Sequence, residues 1–269
     1  MTVATVFAAP TVVTGYAAIG IVVLMVGLWL VSIRVHDVSI VDPAWGPAFV
    51  LVAVIAATTG NGDSGRRWLL FVLVALWGGR LGLYLVSRKL GDHEEDKRYR
   101  VMRERKGDAF IPWSLVMIFG LQGLLVLTVS LPVQVAAGRP AGLGVSAIPG
   151  VVLFVIGLAF EAIGDEQLRR FKGRPDSKGE VMDEGLWHYT RHPNYFGDFC
   201  VWWGLWLVVL PAGGTWWTLI GPVLMSTLLI RVSGKALLER DMAKRRPKYV
   251  DYVKRTSGFF PLPPRRHAD

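Results

Sequence analysis

Long apolar runs separated by short polar clusters dominate the chain. A helix needs about twenty mostly apolar residues to cross the hydrocarbon core of a bilayer. By that measure the pattern predicts about seven transmembrane helices, over roughly 12–33, 43–59, 67–87, 112–135, 147–169, 196–211 and 215–233. The last two are separated only by the segment 211–215, whose Pro211 and paired Gly213 and Gly214 mark a tight turn between antiparallel helices. The expected fold class is all-α, a polytopic membrane protein. Residues 1–269 read as one integral-membrane domain, with 234–269 as a tail or cap. No internal repeat or low-complexity segment interrupts it.

The polar clusters set an orientation. Loops that stay in the cytoplasm carry an excess of Lys and Arg. Basic residues crowd the loop 88–108, the loop 169–180 and the tail from Lys235 to Arg266, whereas 136–146 and 211–215 are almost free of them. This alternation predicts an outside N-terminus and a cytoplasmic C-terminus. Arg66 and Arg67 are the exception. No Lys or Arg precedes Arg34, so the first apolar run reads as a retained span rather than a cleaved signal peptide.

Composition changes this picture little. The chain is 52% hydrophobic with 11 Trp, and its mean hydropathy is +0.40, too apolar for an ordinary soluble domain. The net charge of +9 lies between apolar runs, where topology and anionic membrane lipids account for it. No nucleic-acid motif accompanies it. Cys200 is the one cysteine, so no intramolecular disulfide is possible, and no metal site is expected.

Candidate chemistry concentrates in 185-GLWHYTRHPNYFGD-198. There Trp187, His188, Tyr189, Arg191, His192, Asn194, Tyr195 and Asp198 offer a guanidinium, imidazoles, phenols, an amide and a carboxylate directly before an apolar run. Such a set suits a polyanionic, aromatic ligand on the cytoplasmic side; the bland alternative is a juxtamembrane loop resting at lipid headgroups. On the third span Arg80 and Tyr84 are four residues apart and share a helix face. Arg80 falls below the headgroups, where it either snorkels or faces inward toward an anion. On the fifth span Glu161 and Asp165 share a face, and two acids in an apolar helix are costly without donors from a ligand or from arginine. Asp37 and Asp42 stand at the edge of the second span, with Asp42-Pro43 reading equally as a helix start or as a functional acid. In the tail Tyr249 and Tyr252 are three apart beside basic residues suited to anionic lipid or phosphate.

Taken together, VDPAWGP, WGGRL, EAIGDEQ, GLWHYTRHPNYFGD, the VSG and LE of the tail and RPKYVDY resemble the integral-membrane steroid 5α-reductase-like superfamily, and within it the DUF1295 family. The resemblance runs from about Val41 to Pro264. It implies seven helices whose loops enclose NADPH. Arg80 and Tyr84 match the family's Arg and Tyr on the third span. Asp165 matches its acid on the fifth, with Glu161 where the steroid enzymes usually have Asn and Lys172 where they have Arg. Tyr189, Asn194 and Asp198 match the Tyr, Asn and Glu of the reductase loop, while Arg191, His192 and Tyr195 resemble its sterol-reductase form. Tyr252 completes the implied cofactor set. Isoprenylcysteine carboxyl methyltransferases carry a similar RHPxY, but they do not typically pair an amide with an acid as Asn194 and Asp198 do. Trp77 stands where the steroid enzymes have a catalytic Tyr, and no Glu matches theirs, so ketosteroid specificity does not carry over.

The one GxGxxG match, Gly60 to Gly65, joins two apolar runs of membrane-spanning length rather than a strand and a helix, so a soluble dinucleotide fold is not the carrier. The expectation is an NADPH-dependent reductase of an activated double bond in a sterol-like, isoprenoid or fatty-acyl lipid drawn from the bilayer, with Tyr195, Asp42 or His192 giving the proton. Its place is expected to be a bacterial plasma membrane, with the site facing the cytoplasm. The rivals are an S-adenosylmethionine-dependent methyltransferase of a lipid acid or thiol, and a non-enzymatic lipid-binding protein.

Overall fold

The computed structural model describes residues 3–91, 94–177, 179–232 and 248–265. Apart from one isolated parallel bridge between Thr190 and Ser257, the regular structure of those residues is helical. The principal α-helices are α1 (Val3–Val35), α2 (Trp45–Thr59), α3 (Ser64–Leu90), α4 (Lys97–Lys106), α5 (Phe110–Ser114), α6 (Leu121–Val129) and α7 (Leu131–Ala136). They continue with α8 (Ile148–Lys172), α9 (Leu186–Tyr189), α10 (Pro193–Val209), α11 (Ile220–Thr227) and α12 (Lys248–Arg255). Among the described residues six stretches are long and apolar enough to cross a membrane: Thr11–Val35, Val38–Thr59, Ser64–Leu90, Lys97–Val129, Ile148–Lys172 and Pro193–Ala212. The seventh expected span appears as a shorter apolar helix, Trp216–Arg231. The chain is thus an all-α polytopic membrane protein. The expected helical start of the tail, 233–247, lies outside the described residues.

By its contacts the chain divides into two compact units, Met1–Ala147 with Val209–Gly221, and Ile148–Val208 with Pro222–Asp269. In the first, α2 and α3 approach backbone to backbone. A Cβ placed on Gly46 would lie 2.1 Å from the Gly78 carbonyl oxygen, and one on Gly82 would meet the Pro47 ring at 2.8 Å. Small residues give membrane helices this close approach, since lipid tails offer no hydrophobic drive between helices. The fourth span contains a π-helical turn, Leu115–Gly120, between α5 and α6.

The segment before α2 departs from the expected helix start. Asp42 already has helical dihedrals (φ −63°, ψ −48°) and ends a short 3₁₀ turn, Val38–Val41, so it cannot act as an extended N-cap; α2 begins at Trp45. Asp37 starts that turn, its carboxylate accepting from the Ser39 amide at 2.8 Å and pairing with Lys89 at 2.7 Å. Burial pushes the Asp37 carboxyl up, but the donors from Lys89 and Ser39 outweigh it and hold it below its ordinary value of 3.8. A lowered folded-state value favours folding above the unfolded-state value, and that contribution disappears as the pH falls through the folded one. Acidification below about pH 4 is therefore expected to lower the thermal midpoint of the wild type more than that of Asp37→Asn. Parallel pH profiles for the two proteins would show the Lys89 contact to be without weight.

In the second unit α8 and α10 run antiparallel along a seam of glycines. A Cβ on Gly150 would meet the Gly204 carbonyl oxygen at 2.7 Å, one on Gly157 the Gly197 oxygen at 2.5 Å, and one on Gly164 the Pro193 ring at 3.1 Å. Gly150, Gly157 and Gly164 recur every seven residues, two helical turns apart, and so fall on one face. That face carries the acids considered next.

Candidate functional site

Between the glycines of α8 stand Glu161 and Asp165, one turn apart and each only 4% exposed. An ionisable pair at that depth in a membrane helix is expensive unless polar groups meet it. Across the seam, the Asn194 amide donates to the Asp165 carboxylate at 3.2 Å, while the Asn194 carbonyl oxygen accepts from the Tyr195 amide at 3.1 Å. Both ends of the Asn194 side chain are thereby fixed. Asp198, half-buried, follows Asn194 by one turn on α10 and shares its face.

The loop before α10 is tied down from several directions. Gly185, at φ +59°, leaves room for Gln167, whose side-chain oxygen accepts from the Leu186 amide at 3.0 Å. The Trp187 indole donates to the Gly164 carbonyl at 3.0 Å and packs with Phe171 and Met182. Residues after α12 then clamp the RHPNY segment from beside it. The Arg191 amide donates to the Ser257 carbonyl at 2.9 Å, the Thr190 hydroxyl to Phe259 at 2.8 Å, and the Leu262 amide to Tyr189 at 3.1 Å. Arg191 and His192 are buried as a result, and the His192 ring stacks on Tyr195 with 5.3 Å between centroids and 5° between planes.

Within this unit the sequence-expected residues divide into two groups. Glu161, Asp165, Asn194, His192 and Tyr195 lie on or directly beside the α8–α10 seam, with Arg191 and Asp198 adjoining them in sequence. Tyr189 is exposed, its ring edge-on to His188, and Lys172 is exposed at the end of α8. Tyr252 belongs to the framework, because its buried hydroxyl donates to the Trp187 carbonyl. Burial, with Tyr249 beside it, pushes that phenol well above its ordinary range. Tyr252→Phe leaves a buried carbonyl without its donor, a loss of roughly 1–3 kcal/mol, and a lowered thermal midpoint is expected. An unchanged midpoint would mean that the bond holds nothing.

Three expected residues belong to the first unit. Arg80 and Tyr84 lie half-buried one turn apart on α3. Asp42 accepts from the Tyr99 hydroxyl at 2.8 Å and from Arg98 at 3.0 Å, with one carboxylate oxygen to each. Sequence reasoning missed Tyr99, Arg98, Thr190, Gln167 and the glycine seam. Only the seam had a readable signal, the seven-residue spacing of Gly150, Gly157 and Gly164 and of Gly197 and Gly204.

A family described as "Protein of unknown function (DUF1295)" has a model that matches residues 28–256. An uncharacterised protein of Schizosaccharomyces pombe is 25% identical, over 90% of this chain and 78% of its own length. No solved structure matches.

Proposed function

The chain belongs to the DUF1295 family, and we propose that it is a membrane oxidoreductase that uses NADPH to reduce an activated double bond of a lipid. One observation carries the reading: two buried acids and a buried imidazole, braced by a half-buried amide and phenol, on a glycine-packed pair of otherwise apolar helix faces. Apolar packing gains nothing from such groups, and burying them without a ligand to serve is costly.

The donor set fits a dinucleotide. Glu161 and Asp165 present carboxylates suited to a ribose diol, Arg191 a guanidinium suited to phosphate, and Asn194 with Asp198 an amide and an acid suited to a carboxamide. Lys172 and Arg174 are cations suited to a 2′-phosphate, Arg174 also holding Glu184 through two contacts of 2.9 Å. The superfamily resemblance adds Arg80 and Tyr84. When bound, NADPH supplies a hydride. The proton falls to Tyr195 or His192, whose stacked rings fix each other. Asp42, both of whose oxygens accept hydrogen bonds, is better placed as an acceptor. The basic loops support a site on the cytoplasmic side.

Thermal unfolding of the detergent-purified full-length protein tests the proposal, with NADPH, NADH and S-adenosylmethionine compared side by side. A ligand that binds only the folded state raises its apparent stability by mass action. The expected result is a rise with NADPH. A rise with S-adenosylmethionine alone would replace the reductase reading by a methyltransferase, and silence from all three would refute both.

A further inference from the structure

Arg66 and Arg67 break the alternation of basic loops, and they stand at the end of α3 remote from Arg88 and Lys89. About 1.5 Å per residue separates the two ends by roughly a bilayer core. Arg66 is completely buried, at 0% exposure. Its Nη2 donates to the Gly142 carbonyl at 2.7 Å, yet its Nε and Nη1 are buried and have no acceptor. Arg67 donates to the Ala57 carbonyl and Arg139 to the Gly214 carbonyl, and each keeps a buried Nε with nothing opposite it.

Three loops of the first unit bring these guanidinium groups to one end. The Gly62 amide donates to the Ala137 carbonyl at 2.8 Å and the Asp63 amide to the Arg139 carbonyl at 2.9 Å, while Arg139 reaches to Gly214. Asp63 is an acid at this end; its carboxylate caps α3 at the Arg66 amide and acts on the Arg66 guanidinium through space. Among the described residues none of the three arginines forms an ion pair. Three cations against the carboxylate of Asp63 leave an excess of buried and half-buried positive charge, which is unfavourable, so the cluster calls for an anion from outside the chain. Exposed Trp68, Trp216 and Trp217 ring the same end, and Trp marks the headgroup level of a bilayer. Phosphate is the anion found at that depth.

We propose that Arg66, Arg67 and Arg139 form a phosphate-binding site at the end of the first unit opposite Lys89, supplied by the headgroup of a membrane phospholipid. The planar guanidinium fork matches a phosphate through paired N–H donors, which suits several arginines to one headgroup. The site is independent of the cofactor reading, since none of its residues belongs to that cluster.

Hydrogen–deuterium exchange of the full-length protein in nanodiscs tests it. One set is made of phosphatidylglycerol and the other of digalactosyldiacylglycerol, a bilayer lipid without phosphate, the latter also with millimolar inorganic phosphate. The expected result is that residues 60–67 and 137–144 exchange about tenfold more slowly in phosphatidylglycerol, by suppression of local opening. Arg139→Gln, at the half-buried position, removes that protection while exchange elsewhere in α2 and α3 stays as in wild type. Arg66→Gln removes it as well if it folds. Equal protection by inorganic phosphate in the glycolipid would establish the same chemistry with a free ion as its source. Identical exchange in all three conditions, or protection that survives Arg139→Gln, would overturn the proposal.

Discussion

Asp165→Asn is expected to weaken NADPH binding by roughly 10- to 150-fold, the equivalent of about 1.5–3 kcal/mol for a hydrogen bond to a charged group, without lowering the stability of the ligand-free protein. The substitution keeps shape and leaves an oxygen to accept the Asn194 amide, which lies 3.2 Å from the present carboxylate. It removes only the negative charge. Because Asp165 is 4% exposed in a membrane span, burying its charge is itself costly, which offsets what neutralisation loses, and the ligand-free thermal midpoint is expected to hold. Affinity and stability thus part company, as they do when a residue is kept for a ligand. Asn194→Ala is the contrasting variant. It takes the amide donor away from the buried carboxylate and so is expected to lower both affinity and midpoint. Titration of the thermal shift with NADPH measures both quantities in one experiment. Wild-type affinity in Asp165→Asn would remove Asp165 from the cofactor site, whereas absence of any NADPH shift in the wild type would remove the cofactor itself.

The reach of sequence reasoning follows from which interactions are local. Apolar run length is a local property, and it located most of the spans to within a few residues: 67–87 was expected and α3 covers Ser64–Leu90, while 147–169 was expected and α8 covers Ile148–Lys172, but the fourth, expected over 112–135, is Lys97–Val129. Helical periodicity is local too, so Glu161 and Asp165 could be placed on one face before any partner was known. The partners themselves were not legible. Asn194 meets Asp165 across 29 positions of sequence, Tyr252 meets Trp187 across 65, and Tyr99 meets Asp42 across 57. Nothing in a periodic pattern specifies such pairings. Asp42 shows a different failure, since Asp-Pro carries a strong capping signal but the chain at Asp42 is already helical, and its side chain serves Tyr99 and Arg98 instead. Arg66 and Arg67 were visible as a breach of the charge rule, yet only the burial of Arg66 turned the breach into a site.

Gly197→Ala is expected to force the glycine seam of the second unit apart and lower the thermal midpoint. The added carbon would stand 2.5 Å from the Gly157 carbonyl oxygen, 2.6 Å from the Glu161 amide nitrogen and 2.9 Å from the Glu161 Cβ. Two of those three atoms are backbone, which no rotamer change can move, so α8 and α10 must separate. Overpacking of this kind costs roughly 1–3 kcal/mol or more. In a bilayer the opened seam recovers little, because lipid tails already satisfy apolar surface as well as a neighbouring helix does. The displacement also carries a functional signature. Glu161 stands at the point of contact and Asn194 begins the helix that must move, so separation is expected to weaken NADPH binding together with the fall in thermal midpoint. Gly79→Ala is the control, since a Cβ there meets nothing within 4 Å, and an interior helical Gly replaced by Ala gains up to about 1 kcal/mol. A protein in which Gly197→Ala and Gly79→Ala unfold at the same temperature would rule out the close seam, and with it the means by which the acids of α8 are held against the amide of α10.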